Sequence, residues 1–455
     1  MSKRFLSALL CACLLFTMVI SLVACNTDTT DQSNASDHSD KETDHKIEAP
    51  TTPSASTNNN KPQNSDKDDE KEEDILKNPD VTKFNLTKYL YPIWKGNTSY
   101  AEAAFVRESK DGYIDPIKLL YPIEEIISVR SADLATEYVY GTDYYVDAEG
   151  CLCIIEDGNI PVLKYEDYYF ELSDEEHKSN NLATKFPEAN NRGWGYIRAE
   201  IGSGKPGMSA WTLAVTYTHS EESIVTAPAD KSEKFEEFLY KLQAGEDITM
   251  VSTGDSITDG WSASGKPSVH IAPYCPPYNT LVENFIKKTF DVKITHHNVG
   301  VSGSNTDGGV SKLDEICQKD PDLVLIAFGM NDGCGKDPLD YINNINKMVS
   351  TIEEKCPDAC IVVVGTCLPN AEVAWSPGGQ SILKYHIDYI DVLKAAEESW
   401  NNAAHADVTT ANVEMFERKV YQDVTGSNSN HPNDYMHRIY AQIILNTIFG
   451  DYSEW

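Results

Sequence analysis

Two residue types that together carry out acyl transfer stand out in this chain. Ser256 lies in the turn at residues 254–257, Gly-Asp-Ser-Ile, which directly follows the apolar, β-prone run at 248–251. Such a strand delivers a nucleophile to the carboxyl edge of a parallel sheet, where open α/β folds place their sites. A serine hydroxyl needs a base within hydrogen-bonding distance, and the imidazole of His431 is suited to that task. Ser256 is therefore a candidate nucleophile and His431 a candidate base, a pair that would serve a serine hydrolase.

Three further segments extend this pattern, and each lies near the predicted end of a strand. They are residues 298–306, 325–333 and 430–434. With the Gly-Asp-Ser turn in front of them, they resemble the four ordered blocks of the SGNH or GDSL hydrolases, with isoleucine for the usual leucine in the first block. The resemblance covers residues 248–449, slightly less than half of the chain. It implies a carboxylic ester hydrolase in which Ser256 is the nucleophile and His431 is the base. The sequence has no Gly-rich phosphate loop and no metal cluster, so neither a cofactor nor a metal is predicted.

The same resemblance implies which groups form the oxyanion hole. Attack on an ester carbonyl places negative charge on its oxygen, and fixed N–H donors stabilise that charge. By position in the blocks, the donors are the backbone N–H groups of Ser256 and Gly303 and the side-chain amide of Asn331. Gly303 suits this role because a residue without Cβ lets the backbone approach the acyl group closely.

The chain departs from the family pattern at the residue that orients the histidine. The family places an aspartate three residues before the histidine, and that position here is Asn428. An asparagine orients an imidazole through its carbonyl oxygen but does not stabilise imidazolium as a carboxylate does. Either a Ser–His dyad operates with a neutral acceptor, or Asp423 or Asp434 takes the place of the acid. Asp434 is more simply explained as the N-cap of the last helix.

The elements that position these residues form an α/β domain, predicted over residues 229–455. An amphipathic helix at 230–242 leads into it, and strands then alternate with helices, which specifies a parallel sheet covered on both faces. The SGNH resemblance implies a flavodoxin-like, three-layer, five-stranded arrangement. Further strands are predicted at 292–294, 323–328, 361–365 and 408–413, with helices near 278–290, 309–319, 338–355, 382–404 and 435–449.

An all-β domain is predicted ahead of it, over residues 75–228. Short β-branched and aromatic runs between Gly, Asn and Asp turns indicate a sandwich of the jelly-roll kind. Examples are the runs at 104–106, 126–129, 137–140, 143–146, 151–155 and 211–218. Its tyrosines, with Trp194 and Trp211, suggest glycan binding, although aromatic residues in strands more often belong to a core. A structural platform for the hydrolase domain is the favoured interpretation.

The first residues have the features of an export signal. Lys3 and Arg4 precede an apolar run at 5–23, and residues 22–25, Leu-Val-Ala-Cys, resemble a bacterial lipobox. A lipoprotein signal peptide is therefore predicted at 1–24, lipidation at Cys25, and a disordered acidic and polar tether at 25–74. The protein is expected at the cell surface, anchored by lipid to the outer face of the bacterial cytoplasmic membrane.

Charge and cysteine usage narrow the choice of partners and ligands. The formal charge of −33 argues against nucleic acid, because phosphate neutralisation needs a lysine and arginine patch. The cysteines lack the spacing that is typical of zinc ligands. His296 and His297 are consecutive on a predicted strand, so their side chains point to opposite faces and do not chelate together. No metal site is therefore predicted. Eight of the eleven cysteines follow Cys25, and buried free thiols are the expectation for them.

The combination of a β domain with an SGNH-like domain is similar to that of two-domain carbohydrate esterases. With the extracellular tether, this similarity implies a lipoprotein with esterase activity on an acylated polysaccharide. The expected reaction is hydrolysis of short acyl esters, acetyl above all, through an acyl-enzyme. Trp261 and Trp375 are candidates to wall a sugar subsite, and a core position is an equal alternative. The rival functions are a lipid or lysophospholipid acylhydrolase and a glycan-binding lipoprotein without catalysis.

Overall fold

The structure is a computed structural model that describes residues 82–171, 183–185, 194–197, 207–220, 223–373 and 381–455. All of these residues belong to one compact unit. The signal peptide at 1–24, the lipidation residue Cys25 and the tether at 25–74 lie outside the described residues and stay predictions. No helix in the described ranges has both the length and the apolarity needed to cross a membrane.

The N-terminal region is antiparallel β structure, which confirms the predicted class of this part. The first sheet has the order β1-β8-β2, β3 pairs with β4, and another sheet has the order β5-β7-β6. The strands are β1 (Thr98–Phe105), β2 (Glu125–Ser131), β3 (Tyr144–Val146), β4 (Leu152–Ile154), β5 (Tyr169–Glu171), β6 (Ala183–Lys185), β7 (Trp194–Ile197) and β8 (Thr212–Thr218), with the short helices α1 (Leu86–Tyr89) and α2 (Tyr165–Tyr168).

One strand predicted in this region is wrong. Residues 137–140 contribute only two isolated bridges, Arg130 to Glu137 and Tyr140 to Tyr144. The N–H of Val139 between them donates to a carboxylate oxygen of Asp143 at 2.7 Å. A side chain therefore satisfies a backbone group that a strand would pair with its neighbour.

The C-terminal part is built on a five-stranded sheet in which every neighbouring pair is parallel. Its order, β10-β9-β11-β12-β13, confirms the flavodoxin-like topology. The strands are β9 (Ile248–Gly254), β10 (Ile294–Asn298), β11 (Leu323–Ala327), β12 (Cys360–Val364) and β13 (Ala403–Ala406). The helices are α3 (Glu236–Gln243), α4 (Tyr278–Phe290), α5 (Thr306–Ser311), α6 (Leu313–Cys317), α7 (Pro338–Lys355), α8 (Tyr389–Glu397), α9 (Val408–Met415) and α10 (Asp434–Phe449).

The sheet is covered on both faces, as a three-layer fold requires. Successive residues of a strand point to opposite faces. Leu323 and Leu325 of β11 accordingly pack in one hydrophobic cluster with α4 and α10, whereas Val324 and Ile326 pack in another with α7 and α8. Apolar residues on both faces explain why these strands are continuous hydrophobic runs in the sequence.

Between β12 and α10 the elements differ from the prediction. Helix α8 occupies only the middle of the predicted helix at 382–404, and the predicted strand at 408–413 is helix α9. The carboxylate of Asp407 caps α9 by accepting from the N–H of Thr410 at 2.9 Å. The last strand is instead the alanine-rich β13, whose pairing with β12 and full burial outweigh the helical preference of alanine.

The β region and the α/β part share one core, because a single hydrophobic cluster includes Leu90 and Val215 as well as residues of α10. Arg438 of α10 reinforces the contact by donating to the carbonyl oxygens of Tyr89, Tyr100 and Ala101 at 3.0, 2.6 and 3.0 Å. The predicted domain limits, 75–228 and 229–455, stay predictions.

Candidate active site

Ser256 lies in a tight turn at the carboxyl end of β9. A Cβ on Gly254, the last residue of β9, would come within 2.4 Å of the carbonyl oxygen of Ala327, so only glycine fits beside β11. The N–H of Ile257 donates to Asp255 Oδ1 at 2.8 Å, and the N–H of Trp261 donates to the carbonyl of Ser256 at 3.0 Å. These bonds fix the backbone on both sides of the serine.

The structure brings Ser256 and His431 together across 175 positions of sequence. His431 Nε2 lies 2.9 Å from Ser256 Oγ, within the range of a hydrogen bond. Both residues are largely buried, with 5% and 8% of their surface exposed. This arrangement lets the imidazole accept the hydroxyl proton as the oxygen attacks a carbonyl carbon.

Gly303 lies on the loop after β10, where a left-handed backbone requires glycine. Its φ is +77°, and a Cβ there would meet no atom within 4 Å. The conformation of the backbone therefore explains the glycine here, and the space beside it is open. Neither Gly303 nor Ser256 uses its backbone N–H to bond an acceptor within the described part of the chain.

Asn331 follows β11 and joins its turn to the Gly303 loop. Its Nδ2 donates to the carbonyl oxygen of Ser304 at 2.8 Å, which leaves its second hydrogen for a ligand. The next residue, Asp332, is buried and accepts from the N–H of Thr306 at 3.1 Å and from its hydroxyl at 2.5 Å. The two loops that carry the predicted oxyanion donors are thus tied together.

The turn that carries His431 is held by two hydroxyl side chains. Ser427 Oγ accepts from the N–H groups of Ser429, Asn430 and His431 at 3.1 to 3.3 Å. Thr425 Oγ1 donates to the carbonyl of His431 at 3.0 Å. Side chains therefore provide bonds that a helix or a strand would otherwise supply.

Asn428, the residue in the position of the family's aspartate, takes part in a buried polar network that includes the β region. Its Nδ2 donates to the hydroxyl of Tyr168 at 3.0 Å, and its Oδ1 accepts from Asn370 Nδ2 at 3.3 Å. Gln422 Nε2 also donates to the Tyr168 hydroxyl, at 2.6 Å. The sequence analysis missed Tyr168, Asn370 and Gln422, because no local pattern links residues so far apart in the chain.

The two aspartates considered as alternatives to Asn428 have other partners. Asp423 accepts from the N–H groups of Phe105 and Val420 at 2.7 and 3.1 Å. Asp434 accepts from the N–H of Ser264 at 2.8 Å, and burial raises the pKa of its carboxyl to about 6. Asp434 is the first residue of α10, and the N-cap is Asn433, which corrects the expected cap. Which residue orients His431 stays a prediction.

Trp261 forms a wall beside the histidine. Its ring stacks near that of His431, with 5.8 Å between centroids and 22° between planes. Its Nε1 donates to Ser302 Oγ at 2.7 Å, and the ammonium of Lys266 lies 5.1 Å from its centroid. This indole is thus part of the site and not of the hydrophobic core. Trp375 lies outside the described residues.

A second trio of catalytic residue types lies away from this site. His296 Nδ1 is 2.8 Å from Glu283 Oε2, and its Nε2 is 2.9 Å from Ser252 Oγ. Ser252 lies within β9 and is fully buried, so no substrate reaches it.

In the described ranges no three His, Cys, Asp or Glu side chains are grouped to hold a metal ion. The cysteines after Cys25 are all free, six buried and two (Cys317 and Cys334) partly exposed.

The part of the sequence that contains these residues matches a known protein family. Residues 253–439 match the GDSL-like Lipase/Acylhydrolase family. An arylesterase of Vibrio mimicus is 40% identical over 63 residues, which are 13% of this chain and 32% of the arylesterase. The chain thus matches about a third of the length of that relative.

Solved structures of esterases are also similar to this chain. A two-domain esterase active on acetylated mannans, co-crystallised with mannopentaose, is 20% identical, with a TM-score of 0.37 over 47% of this chain and 53% of that one. An acetylxylan esterase from Geobacillus stearothermophilus is 20% identical, with a TM-score of 0.35 over 45% of this chain and 95% of that one. Residues 253–439 of this chain are thus similar to the GDSL-like lipase/acylhydrolase family.

Proposed function

We propose that the protein is a serine esterase that removes short acyl groups, acetyl above all, from an extracellular polysaccharide. The observation that carries the proposal is the 2.9 Å contact of Ser256 Oγ with His431 Nε2 at the carboxyl edge of the sheet. Ser256 attacks the ester carbonyl while His431 takes its proton. The ester C–O bond breaks, and His431 gives the proton to the departing sugar oxygen, which leaves as a free hydroxyl group.

Water then completes the cycle. His431 removes a proton from water, which attacks the acyl-enzyme and releases the carboxylic acid together with free Ser256. In both steps the charged oxygen is held by the N–H groups of Ser256 and Gly303 and by the amide of Asn331. Each such donor contributes about 10²–10³ in rate.

The surroundings of the serine support a sugar ester over a fatty-acyl ester. Trp261 provides an aromatic ring beside His431, and Ser302, Asp259 and Lys266 form a polar cluster around it, with the Lys266 ammonium over the ring. Aromatic and polar groups side by side suit a sugar better than a fatty-acyl chain. Asp259 Oδ2 accepts from Ser302 Oγ at 3.2 Å and from Lys266 Nζ at 2.7 Å. We extend the proposal to location: a lipid at Cys25 would hold the enzyme on the outer face of the membrane.

The test is acid release by the full-length chain from 4-nitrophenyl acetate, acetylated xylan and a lysophospholipid. Ser256→Ala should abolish release, whereas Ser350→Ala, at an exposed serine of α7, should keep it. Serine-dependent acetate from xylan supports the proposal. Fatty acid from the lipid alone would favour the acylhydrolase, and glycan binding with no turnover of any ester would favour a non-catalytic lipoprotein.

A further inference from the structure

A groove lies where the β region meets the segment that leads to His431. Its volume is about 390 Å³, and it is lined by the residues after β1, by α2 and β5, and by residues between α9 and the His431 turn. The side chains that matter here are Arg107, Lys110, Lys118, Tyr165, Tyr169 and Arg418. The groove is separate from the site around Ser256, since neither Ser256 nor His431 lines it.

The lining carries an excess of positive charge. Four cations face three carboxylates, those of Glu108, Asp115 and Asp423. Glu108 is paired with Lys164, and Asp423 lies 3.7 Å from Lys419; neither lysine lines the groove. Lys419 is shared with Glu102, so it offsets Asp423 only in part; the cations of the lining still outnumber its carboxylates. In a chain of net charge −33, a cationic groove of this kind favours an anionic ligand.

Arg107 is the best-positioned of these cations. Its guanidinium lies 4.7 Å from the ring centroid of Tyr168, and its Nη1 donates to the hydroxyl of Tyr169 at 3.2 Å. Arg107 is partly buried and forms no ion pair within 4.0 Å among the described residues; the carboxylate of Glu372 attracts it over a longer distance. Stacking holds the planar group in place, and its remaining N–H groups form a fork that matches a carboxylate.

Aromatic rings line the same groove. The rings of Tyr165 and Tyr169 lie 4.9 Å apart, and both side chains are partly buried. Such rings present flat apolar faces with a polar edge, which suits a pyranose ring. The pairing of a fixed arginine with tyrosine faces favours a carboxylate on a sugar over a free phosphate, which has no ring to stack.

We propose that this groove binds a carboxylate-bearing sugar, a uronic acid residue of the acylated polysaccharide. The proposal rests on the proposed function, because it assigns the same polymer to a second contact. Tyr168 connects the groove with the active site. The guanidinium of Arg107 lies over its ring, and its hydroxyl is hydrogen-bonded to Asn428, three residues before His431. A uronate in the groove is thus held one side chain away from the turn that carries the base.

The test measures binding without turnover. Calorimetry on the full-length Ser256→Ala protein compares xylotetraose with the same oligosaccharide carrying one glucuronate branch. The branched ligand should bind about tenfold more tightly at low salt, since charge-assisted hydrogen bonds are strong. That preference should fall at about 1 M salt, where the screening length is about 3 Å.

Two variants locate the preference. Arg107→Met should remove most of this preference. The double variant Lys110→Gln/Lys118→Gln should do the same. Both lysines are exposed, and their side chains have no hydrogen-bond or ion-pair partner among the described residues. Lys293→Gln, at an exposed lysine paired with Asp247 elsewhere, should keep it. Equal affinity for both ligands, or full preference in both groove variants, would overturn the proposal. Uronate preference without ester hydrolysis by the unmodified protein would overturn the proposed function and leave the groove assignment standing.

Discussion

At the scale of single residues, the Asn331 amide has two tasks in the proposed reaction. It holds the carbonyl of Ser304 and offers a second hydrogen to the charged oxygen. We expect Asn331→Ala to lower kcat by about 10²–10³ with a small change in KM, because the donor acts mainly in the transition state. Steady-state kinetics on 4-nitrophenyl acetate checks this, with Asn343→Ala on the exposed face of α7 as control. A kcat within threefold of the unmodified protein would remove Asn331 from the oxyanion hole.

Asp255, next to the nucleophile, is expected to make stability depend on pH. Burial raises the pKa of its carboxyl from 3.8 to about 7. The folded state therefore binds this proton more tightly than the unfolded state, and its contribution to stability is lost as pH rises from about 4 to about 7. The slope is at most about 1.4 kcal/mol per pH unit.

Asp255→Asn should remove this contribution, so its Tm should fall less than that of the unmodified protein between pH 4 and 7. Thermal melts across that range provide the measurement. The difference between the two proteins is the relevant quantity, because buried His386 and His437, whose pKa values burial lowers to about 4, act in the opposite sense. Parallel Tm curves would show that Asp255 does not titrate in this window.

At the scale of elements, α2 of the β region supports the turn that carries His431. Tyr168 is fully buried, and its hydroxyl is bonded to Asn428 and Gln422. Tyr168→Phe would leave those amides without this partner, at a cost of about 1–3 kcal/mol in the free energy of unfolding. We also expect a lower kcat, since His431 would be held less firmly. The matched control is Tyr113→Phe, because Tyr113 is 72% exposed. Denaturant melts and steady-state kinetics provide the measurement. The same stability and the same kcat in the two variants would argue against a supporting role for Tyr168.

The sequence predicted those elements whose signals are local. The Gly-Asp-Ser turn and the Asn331 turn each follow a buried apolar strand, the Gly303 loop follows the polar edge strand β10, and the parallel sheet brings these ends to one edge. The support from Tyr168 was not predictable in this way, because it is 260 positions from Asn428 and depends on how the β region packs. The strand β13 was missed for a related reason: four residues, three of them alanine, become a strand only through their neighbours.

At the scale of the whole molecule, a buried ionic group joins the two parts of the chain. Lys419 Nζ lies 2.5 Å from Glu102 of β1 and 3.7 Å from Asp423, and all three residues are buried. Lys419→Met would leave two carboxylates without their cation, which typically costs about 3–5 kcal/mol. Equilibrium unfolding should show this loss, whereas Lys347→Met at an exposed site should change little.

The double variant Lys419→Met/Glu102→Gln should be more stable than Lys419→Met alone. Such a partial recovery would show that the loss comes from the buried carboxylate left without its cation. If the single variant is as stable as the unmodified protein, the ionic group does not hold the two parts together.

The trio of Ser252, His296 and Glu283 has a consequence for covalent labelling. By distances alone it resembles a reactive centre, but its hydroxyl is enclosed within the sheet, whereas Ser256 lies at the sheet edge. A fluorophosphonate reagent needs access as well as an activated oxygen. We expect one phosphonyl group per chain, located at Ser256 by peptide mass spectrometry and absent in Ser256→Ala. Modification of Ser252 in the folded protein would mean that β9 opens far enough to admit a reagent.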